Sequence, residues 1–301
     1  GHCLRDCDDS AFYHKETGGG NVMKAQTTRR KRCLYYLFLG MVSAFFVLPI
    51  LLVLMNSLKG KLYISATPFA FPNKETFVGL QNYAVGLAKV HFYRAAVYSF
   101  FITIGSVLLI VLFCSMCAWI ITRIRAWWCD VIYFVLVASM VIPFQMTMFP
   151  LTKLADSFGL TSLAGMCVIY LGMGSTTATF MFSGFVKGIP IEMEEAAMID
   201  GANPAKSFAY ITFPVLKPIT ITVAIINSMW IWNDFLLPYL IIGANIQTIP
   251  IAIQNMKMAF GSIDYGHLMA AIIAALVPVV LFYFCCQRYI IEGIVSGAVK
   301  G

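Results

Sequence analysis

The stretch that decides the fold is "EEAAMIDGANPAKSFAYITFP", residues 194–214. It is charged and helix-prone, is interrupted by Gly201-Ala202-Asn203-Pro204, and lies between two of the most apolar runs of the chain. Pro190 suits the first turn of a helix, and Glu192, Glu194 and Glu195 follow where negative charge complements the positive end of the helix dipole. The pattern predicts a helix to about Asp200, closed by Gly201 in the left-handed conformation. Asn203 then caps, and Pro204 starts, a second short helix reaching toward Pro214. Each piece of about 10 residues spans about 16 Å, half of a membrane crossing. The hairpin therefore belongs in water or against a partner. Ala196, Ala197, Gly201 and Ala202 thin its turn so that another surface can approach the backbone, with carboxylates beside them for basic groups. An amphipathic loop resting on lipid headgroups is the alternative on the residues alone.

The surroundings of the hairpin are made for lipid. Hydrophobic residues form 60% of the 301-residue chain and charged residues 12%, against about 25% charged in a soluble domain; the mean hydropathy is +0.81. Charge-poor segments at 33–58, 95–122, 131–152, 159–186, 218–242 and 268–287 are each close to or longer than the roughly 20 residues that cross a hydrocarbon core as helix. Backbone amides must be satisfied internally in lipid, so segments this long read as six transmembrane helices and not as barrel strands. The expected fold is all-α and polytopic.

Orientation follows from Lys and Arg. "RRKR" at 29–32 abuts the first span, and an even number of spans returns both termini to that side. With that side cytoplasmic, Arg123, Arg125, Lys187, Lys206, Lys217, Arg288 and Lys300 join the N-terminal seven, giving 14 of the 21 basic residues inside. The net charge of +7 reads as a topology signal with attraction to anionic lipid, not as a nucleic-acid footprint. Residues 1–22 are polar and glycine-rich and lack the apolar core of a cleavable signal. Two readings stand for them: translated leader before a natural start at Met23, or a disordered cytoplasmic tail. The permease domain is then 23–301.

Enzymology finds no foothold. The chain has no G-x-x-x-x-G-K-[ST] phosphate loop, no H-E-x-x-H helix and no G-x-S-x-G elbow. His2, His14, His91 and His267 are scattered and suit surface or capping roles. Of nine cysteines, Cys114 and Cys117 form a C-x-x-C, but inside an apolar span without a second pair. Small hydrophobic filler is the better reading, and neither metal nor disulfide is expected.

The segment "EEAAMIDGANPAKSFAYITFPVLKP" resembles the EAA loop of ABC importer permeases, with Glu195-Ala196-Ala197, Asp200-Gly201-Ala202, Phe208, Ile211, Pro214 and Pro218 at the family's spacing. The ending "LMAAIIAALVPVVLFYFCCQRYIIEGIVSGAVKG" is similar to that of carbohydrate-importer permeases related to the second membrane subunit of the maltose transporter. Phe213 stands where the family more often has leucine and keeps an apolar contact. The resemblance covers 29–301 and implies the type I importer fold. It implies a coupling loop at about 188–218 that docks in a cytoplasmic ATPase, with Glu195 as polar contact, Ala196 and Ala197 as close-packed surface and Gly201 as the turn. The tail Gly297, Ala298, Val299, Lys300 and Gly301 would reach the ATPase interface. Also implied are a second permease, two ATP-binding subunits that hold ATP and Mg, an extracytoplasmic solute-binding protein, a carbohydrate of the oligosaccharide class, and a bacterial or archaeal cell membrane.

A polar pathway can be named in outline. Asn233 and Asp234 in "MWIWNDFLLPY" fall in the fifth span, where a buried carboxylate suggests function and an interhelical hydrogen bond is the equal alternative. Pro143 and Gln145 in the third span read as a kink with a polar group. Gly172, Gly174, Thr176 and Ala178 give small-residue spacing that favours close helix packing over substrate contact. Trp230 and Trp232 have stacking or anchoring roles open to them. An ABC permease for another solute class and an ion-coupled secondary transporter are the competing functions. The latter should show internal repeats and several buried titratable groups, and only Asp234 is well inside a span.

Overall fold

The computed structural model describes residues 20–243, 245–258 and 263–298, with side chains for 34–243, 245–257 and 263–289. The chain divides into two compact units, Gly1–Leu54 and Met55–Gly301. The first holds most of α1 (Gly20–Ser57), a helix with Pro49 inside it. Its part Leu34–Ser57 holds an 18-residue window of mean hydropathy 2.7, and its large side chains, such as Phe45 and Phe46, are exposed, as a lipid-facing helix requires.

The second unit continues with α2 (Lys61–Ala66), α3 (Gln81–Lys89), α4 (Phe92–Arg123), α5 (Trp127–Ser139), α6 (Phe144–Ser157) and α7 (Leu163–Val186). Then come α8 (Glu192–Ile199), α9 (Pro204–Ser207), α10 (Phe213–Val215), α11 (Lys217–Asn233), α12 (Leu236–Ile242), α13 (Ile249–Met258) and α14 (Tyr265–Ala298). Among the described residues the β pairing is a single isolated bridge, Lys59 with Phe77. Among the described residues four helices are long and apolar enough to cross a membrane, and two bent pairs raise that number to as many as six.

Two of the six expected spans are interrupted, one of them by a bent pair. The third is not one helix: α5 and α6 meet at 113°. Proline has no N–H to give and disfavours the helical region for the residue before it. The last turn of α5 accordingly tightens, with Val141 N donating to Ala138 O at 3.2 Å and Ile142 N to Ser139 O at 3.2 Å. Pro143 is extended and caps α6, so the expected kink is a full change of direction. The fifth span breaks at Asp234, which is extended at the end of α11. The fourth begins at Leu163 and not at 159, because Ser162 caps α7 by accepting from Gly165 N at 3.1 Å.

The core is the seam between α4 and α7, joined by α11. Ile102, Ile110, Cys114 and Ala118 of α4 meet Met166, Tyr170, Phe182 and Val186 of α7, with Val223 and Ile231 of α11. Close approach needs small residues. A Cβ on Gly174 would lie 2.7 Å from Ile110 Cδ1 and 2.9 Å from Asn227 Oδ1. Gly174 and Ala178 therefore carry the packing expected of the small-residue set. Gly172 has open space around it, and Thr176 instead pairs its hydroxyl with Ser139 Oγ at 2.9 Å.

Candidate functional site

The hairpin forms as its sequence dictates, with one shift at the start: α8 begins at Glu192 behind Ile191, two residues beyond Pro190. Three glutamates fill its first turn. At its end Gly201 takes φ +88°, which lets Ala202 N reach Ala197 O at 2.9 Å and Gly201 N reach Met198 O at 3.0 Å. This paired closure satisfies carbonyls that the helix end would leave free. Asn203 Oδ1 accepts from Lys206 N at 2.8 Å and Pro204 takes the first helical turn. The second arm continues through a π turn at Phe208–Thr212, in which Phe213 N bonds back to Phe208 O, into α10 with its Pro214. A wider turn here accommodates a proline that cannot donate. The arm from Pro204 to Val215 then meets α11 at 75°.

The two arms differ in what they bury. Ser207, Phe208, Thr212 and Leu216 are buried, and Phe208 and Leu216 belong to the α4–α7 core. Along the first arm only Glu194 is buried, at 2% exposure. Arg123 at the end of α4 donates to Glu194 Oε1 from Nε at 3.0 Å and from Nη2 at 2.8 Å. Trp119 Nε1 donates to Oε2 at 2.9 Å. Arg123 Nη2 also reaches Ile189 O at 3.0 Å, which ties down the entry to the hairpin. Both carboxylate oxygens are thus occupied by donors from one helix, the arrangement that makes a buried charge tolerable.

Glu195, Ala196, Asp200 and Gly201 are exposed, and Ala197 and Ala202 half-buried. None of the six residues expected to meet a partner is buried in the core. Sequence reasoning missed the other face: Glu194, Arg123 and Trp119 form the hinge that fixes the hairpin to α4. Arg123 carried a signal, a basic residue at the end of a span, but it read only as topology.

The pathway candidates separate. Asp234 is half-buried; its Oδ2 accepts from Tyr170 OH at 3.0 Å and its Oδ1 accepts from Leu236 N at 3.0 Å, so it caps α12 and ties it to α7. Trp230 packs edge-on against Tyr170, with ring centroids 5.5 Å apart, and Trp232 packs against Phe100 at 4.8 Å. Asn233 is exposed and returns its amide to Met229 O at 2.7 Å. Gln145 is exposed in the first turn of α6. The three do not hydrogen-bond to one another. Of the tail, Gly297 and Ala298 close α14; Val299, Lys300 and Gly301 lie outside the described residues, as do residues 1–19.

His91 takes the capping place open to it, and His267 has charged neighbours. His91 caps α4 in the left-handed region at φ 46°. His267 sits in the first turn of α14 with Asp264 Oδ2 and Lys89 Nζ each 3.2 Å from its Nδ1.

Proteins of known kind share this chain's sequence and fold. It is 36% identical over 87% of its length, and 95% of the relative's, to the "Probable starch degradation products transport system permease protein AmyC" of Thermoanaerobacterium thermosulfurigenes. It is 33% identical over 88% of its length, and 96% of the relative's, to the multiple sugar-binding transport system permease protein MsmG of Streptococcus mutans. These relatives are transport permeases and not enzymes. The fold matches a chain from the crystal structure of a bacterial ABC transporter involved in the import of the acidic polysaccharide alginate. That match has a TM-score of 0.72 at 17% identity, and covers 87% of this chain and 97% of that one. The profile of the binding-protein-dependent transport system inner membrane component matches residues 110–295, a range that holds the hairpin, its hinge on α4 and most of the α4–α7–α11 core, and the chain belongs to that family of multi-pass membrane proteins.

Proposed function

We propose that this chain is a membrane subunit of an ATP-driven importer that passes a carbohydrate, of the oligosaccharide class, through a pathway opened to each side in turn. The observation that carries the coupling half of this reading is the hairpin itself: Glu195, Ala196 and Gly201 are exposed, while Glu194 is bonded to α4. A force applied to the exposed residues would therefore be transmitted to a membrane helix. The sugar half rests on the relatives, whose names refer to starch degradation products and multiple sugars.

In this reading the hairpin and both termini are cytoplasmic, and the hairpin docks on a separate ATPase. Two such subunits bind ATP and Mg, a second permease completes the pathway, and an extracytoplasmic binding protein delivers the sugar. Glu195 supplies the polar contact, and Ala196, Ala197, Asp200, Gly201 and Ala202 the close-packed turn. The tail 297–301 extends toward the ATPase pair. Asp234, with Asn233 and Gln145, is the proposed polar lining, Asp234 serving at the same time as a cap.

The test is co-expression with the candidate ATPase, followed by purification through a tag on this chain and sugar uptake in cells. The ATPase should co-purify with the unaltered chain and be lost with Gly201→Asp. Uptake that persists in cells depleted of the ATPase would refute the reading. A thermal-shift screen of the cognate binding protein against a sugar panel identifies the cargo, since a ligand at 100 times its Kd stabilises by about 2.7 kcal/mol.

A further inference from the structure

The hinge at the end of α4 leads into a second feature that coupling does not use. After Arg123 the chain runs extended through Ile124 and turns at Ala126 into α5. Between this corner and the end of α7 lies a cleft of about 490 Å³ lined by Arg125, Trp127, Asp130, Tyr133, Ser183 and Lys187 among others. Its size is in the range of small-molecule sites.

Several observations give it one preferred charge. Arg125 is exposed, and among the described residues neither it nor Lys187 has a carboxylate within ion-pairing distance. Lys187 Nζ stands 5.3 Å over the Tyr133 ring, a contact that holds the ammonium without neutralising it. The N-terminus of α5, a 13-residue helix, opens at the same corner with Ala126 at its cap position and no side-chain hydrogen bond there. Cys129 N is taken up by Ala126 O at 2.9 Å and Asp130 in the first turn offsets part of the helix's positive end, while the amides before Cys129 have no side-chain cap. Ser183 is 1% exposed, and its Oγ has no hydrogen-bond partner. Asp130 also lines the cleft but forms no ion pair with either cation, which leaves a net positive charge. The rim is aromatic: Trp127 is 78% exposed, where a tryptophan marks the headgroup level of a bilayer.

We propose that this cleft binds a phosphate-bearing anion, with Arg125 and Lys187 as its cations, the first amides of α5 as donors, and the headgroup of an anionic phospholipid as its first source. Free phosphate shares the chemistry and is the second source. A phosphate accepts from several donors at once, as this corner requires, and the Trp127 edge gives a glycerol-linked chain a route into lipid. The inference rests on the chain's place in a membrane and not on its cargo or ATPase.

The test uses the full chain purified in a neutral detergent, without ATPase or sugar, and follows thermal unfolding while phosphatidylglycerol, phosphatidylcholine or inorganic phosphate is added. Phosphatidylglycerol should raise the melting temperature where phosphatidylcholine does not. The double variant R125Q/K187Q should need about 30-fold more of it for the same rise, the factor matching roughly 1 kcal/mol per cation near an anionic surface. Lys187→Gln alone should show part of the loss and Lys187→Arg should restore it, which keeps the test valid if the double variant folds poorly. A rise with inorganic phosphate that the same substitutions abolish supports the site with free phosphate as its source. Equal responses to the two lipids with none to phosphate, or an undiminished phosphatidylglycerol response in R125Q/K187Q, overturns the proposal.

Discussion

Arg123 grips Glu194 through a single carboxylate oxygen, with Nε at 3.0 Å and Nη2 at 2.8 Å from Oε1, and leaves Oε2 to Trp119. The side chains of the pair are 15% and 3% exposed. The ion pair is therefore shielded from the water that makes surface pairs weak, and removing one member leaves the other charged and unmatched.

Glu194→Gln is the most informative change at the hinge. It keeps the shape but replaces one acceptor by an amide that faces Arg123 or Trp119, both donors. Loss of about 3 kcal/mol of stability is expected, read as a lower unfolding temperature of the purified chain. If Arg123→Met with Glu194→Leu recovers most of that loss, the cost lies in the stranded charge and not in lost packing.

Glu195 should behave in the opposite way although it is the next residue. It is exposed and has no ion pair among the described residues, so Glu195→Lys should change the unfolding free energy by less than about 0.5 kcal/mol. If the proposed docking holds, its effect should fall on the partner: the ATPase should fail to co-purify, because a cation would then replace the proposed anionic contact. A melting temperature as low as that of Glu194→Gln would contradict this division of labour.

The glycines of α7 separate packing from open surface within one turn. Gly172→Ala adds a methyl where nothing lies within 4 Å, so it should be neutral or slightly stabilising. Gly174→Ala puts its Cβ 2.7 Å from Ile110 Cδ1 and 2.9 Å from Asn227 Oδ1. Both are side-chain ends that can yield at a cost, and a loss of about 1–3 kcal/mol is expected. Thermal unfolding of the two variants side by side checks the order.

What the sequence makes legible is what is local. Gly201 with Asn203 and Pro204 specifies a left-handed turn and a capped restart within four residues, and the hairpin has that form. Whether Glu194 or Glu195 points inward is not local, because Trp119 lies 75 positions and Arg123 71 positions away. The breaks in the third and fifth spans are hidden for a different reason. Met140, Val141, Ile142 and Pro143 are themselves apolar, so hydropathy runs through the corner unchanged, and only proline's missing donor betrays it. Asp234 is visible as a lone charge, yet its capping of α12 depends on the chain stopping being helical at that residue.

Tyr170 and Asp234 form a test of that cap. Tyr170→Phe removes the donor 3.0 Å from Asp234 Oδ2 but leaves Oδ1 on Leu236 N at 3.0 Å. A loss of about 1–2 kcal/mol is expected. Asp234→Ala removes these bonds, the one from Leu237 N at 3.4 Å and, with them, the cap, and should cost more. If Asp234→Asn retains stability but abolishes sugar uptake, the carboxylate has a transport role beyond the cap. If both survive, Asp234 is structural alone.

Lys59 gives the chain a pH dependence. It is 1% exposed, with Nζ donating to Thr67 O at 2.9 Å and no carboxylate paired with it among the described residues. Burial lowers its pKa from the ordinary 10.5, since the ammonium loses water that one carbonyl does not replace. Below the folded-state pKa both the folded and unfolded chains carry the proton, and the full cost of burying the charge applies. Between that value and 10.5 the folded chain is neutral while the unfolded chain still binds the proton, so this group destabilises progressively less as pH rises. Lys59→Met lacks the titrating group. The melting temperature of the unaltered chain should therefore rise relative to that of Lys59→Met as pH increases toward 10.5. A difference between the two that stays constant, or that widens in favour of Lys59→Met, would show that the buried ammonium is matched by a charge the geometry does not provide.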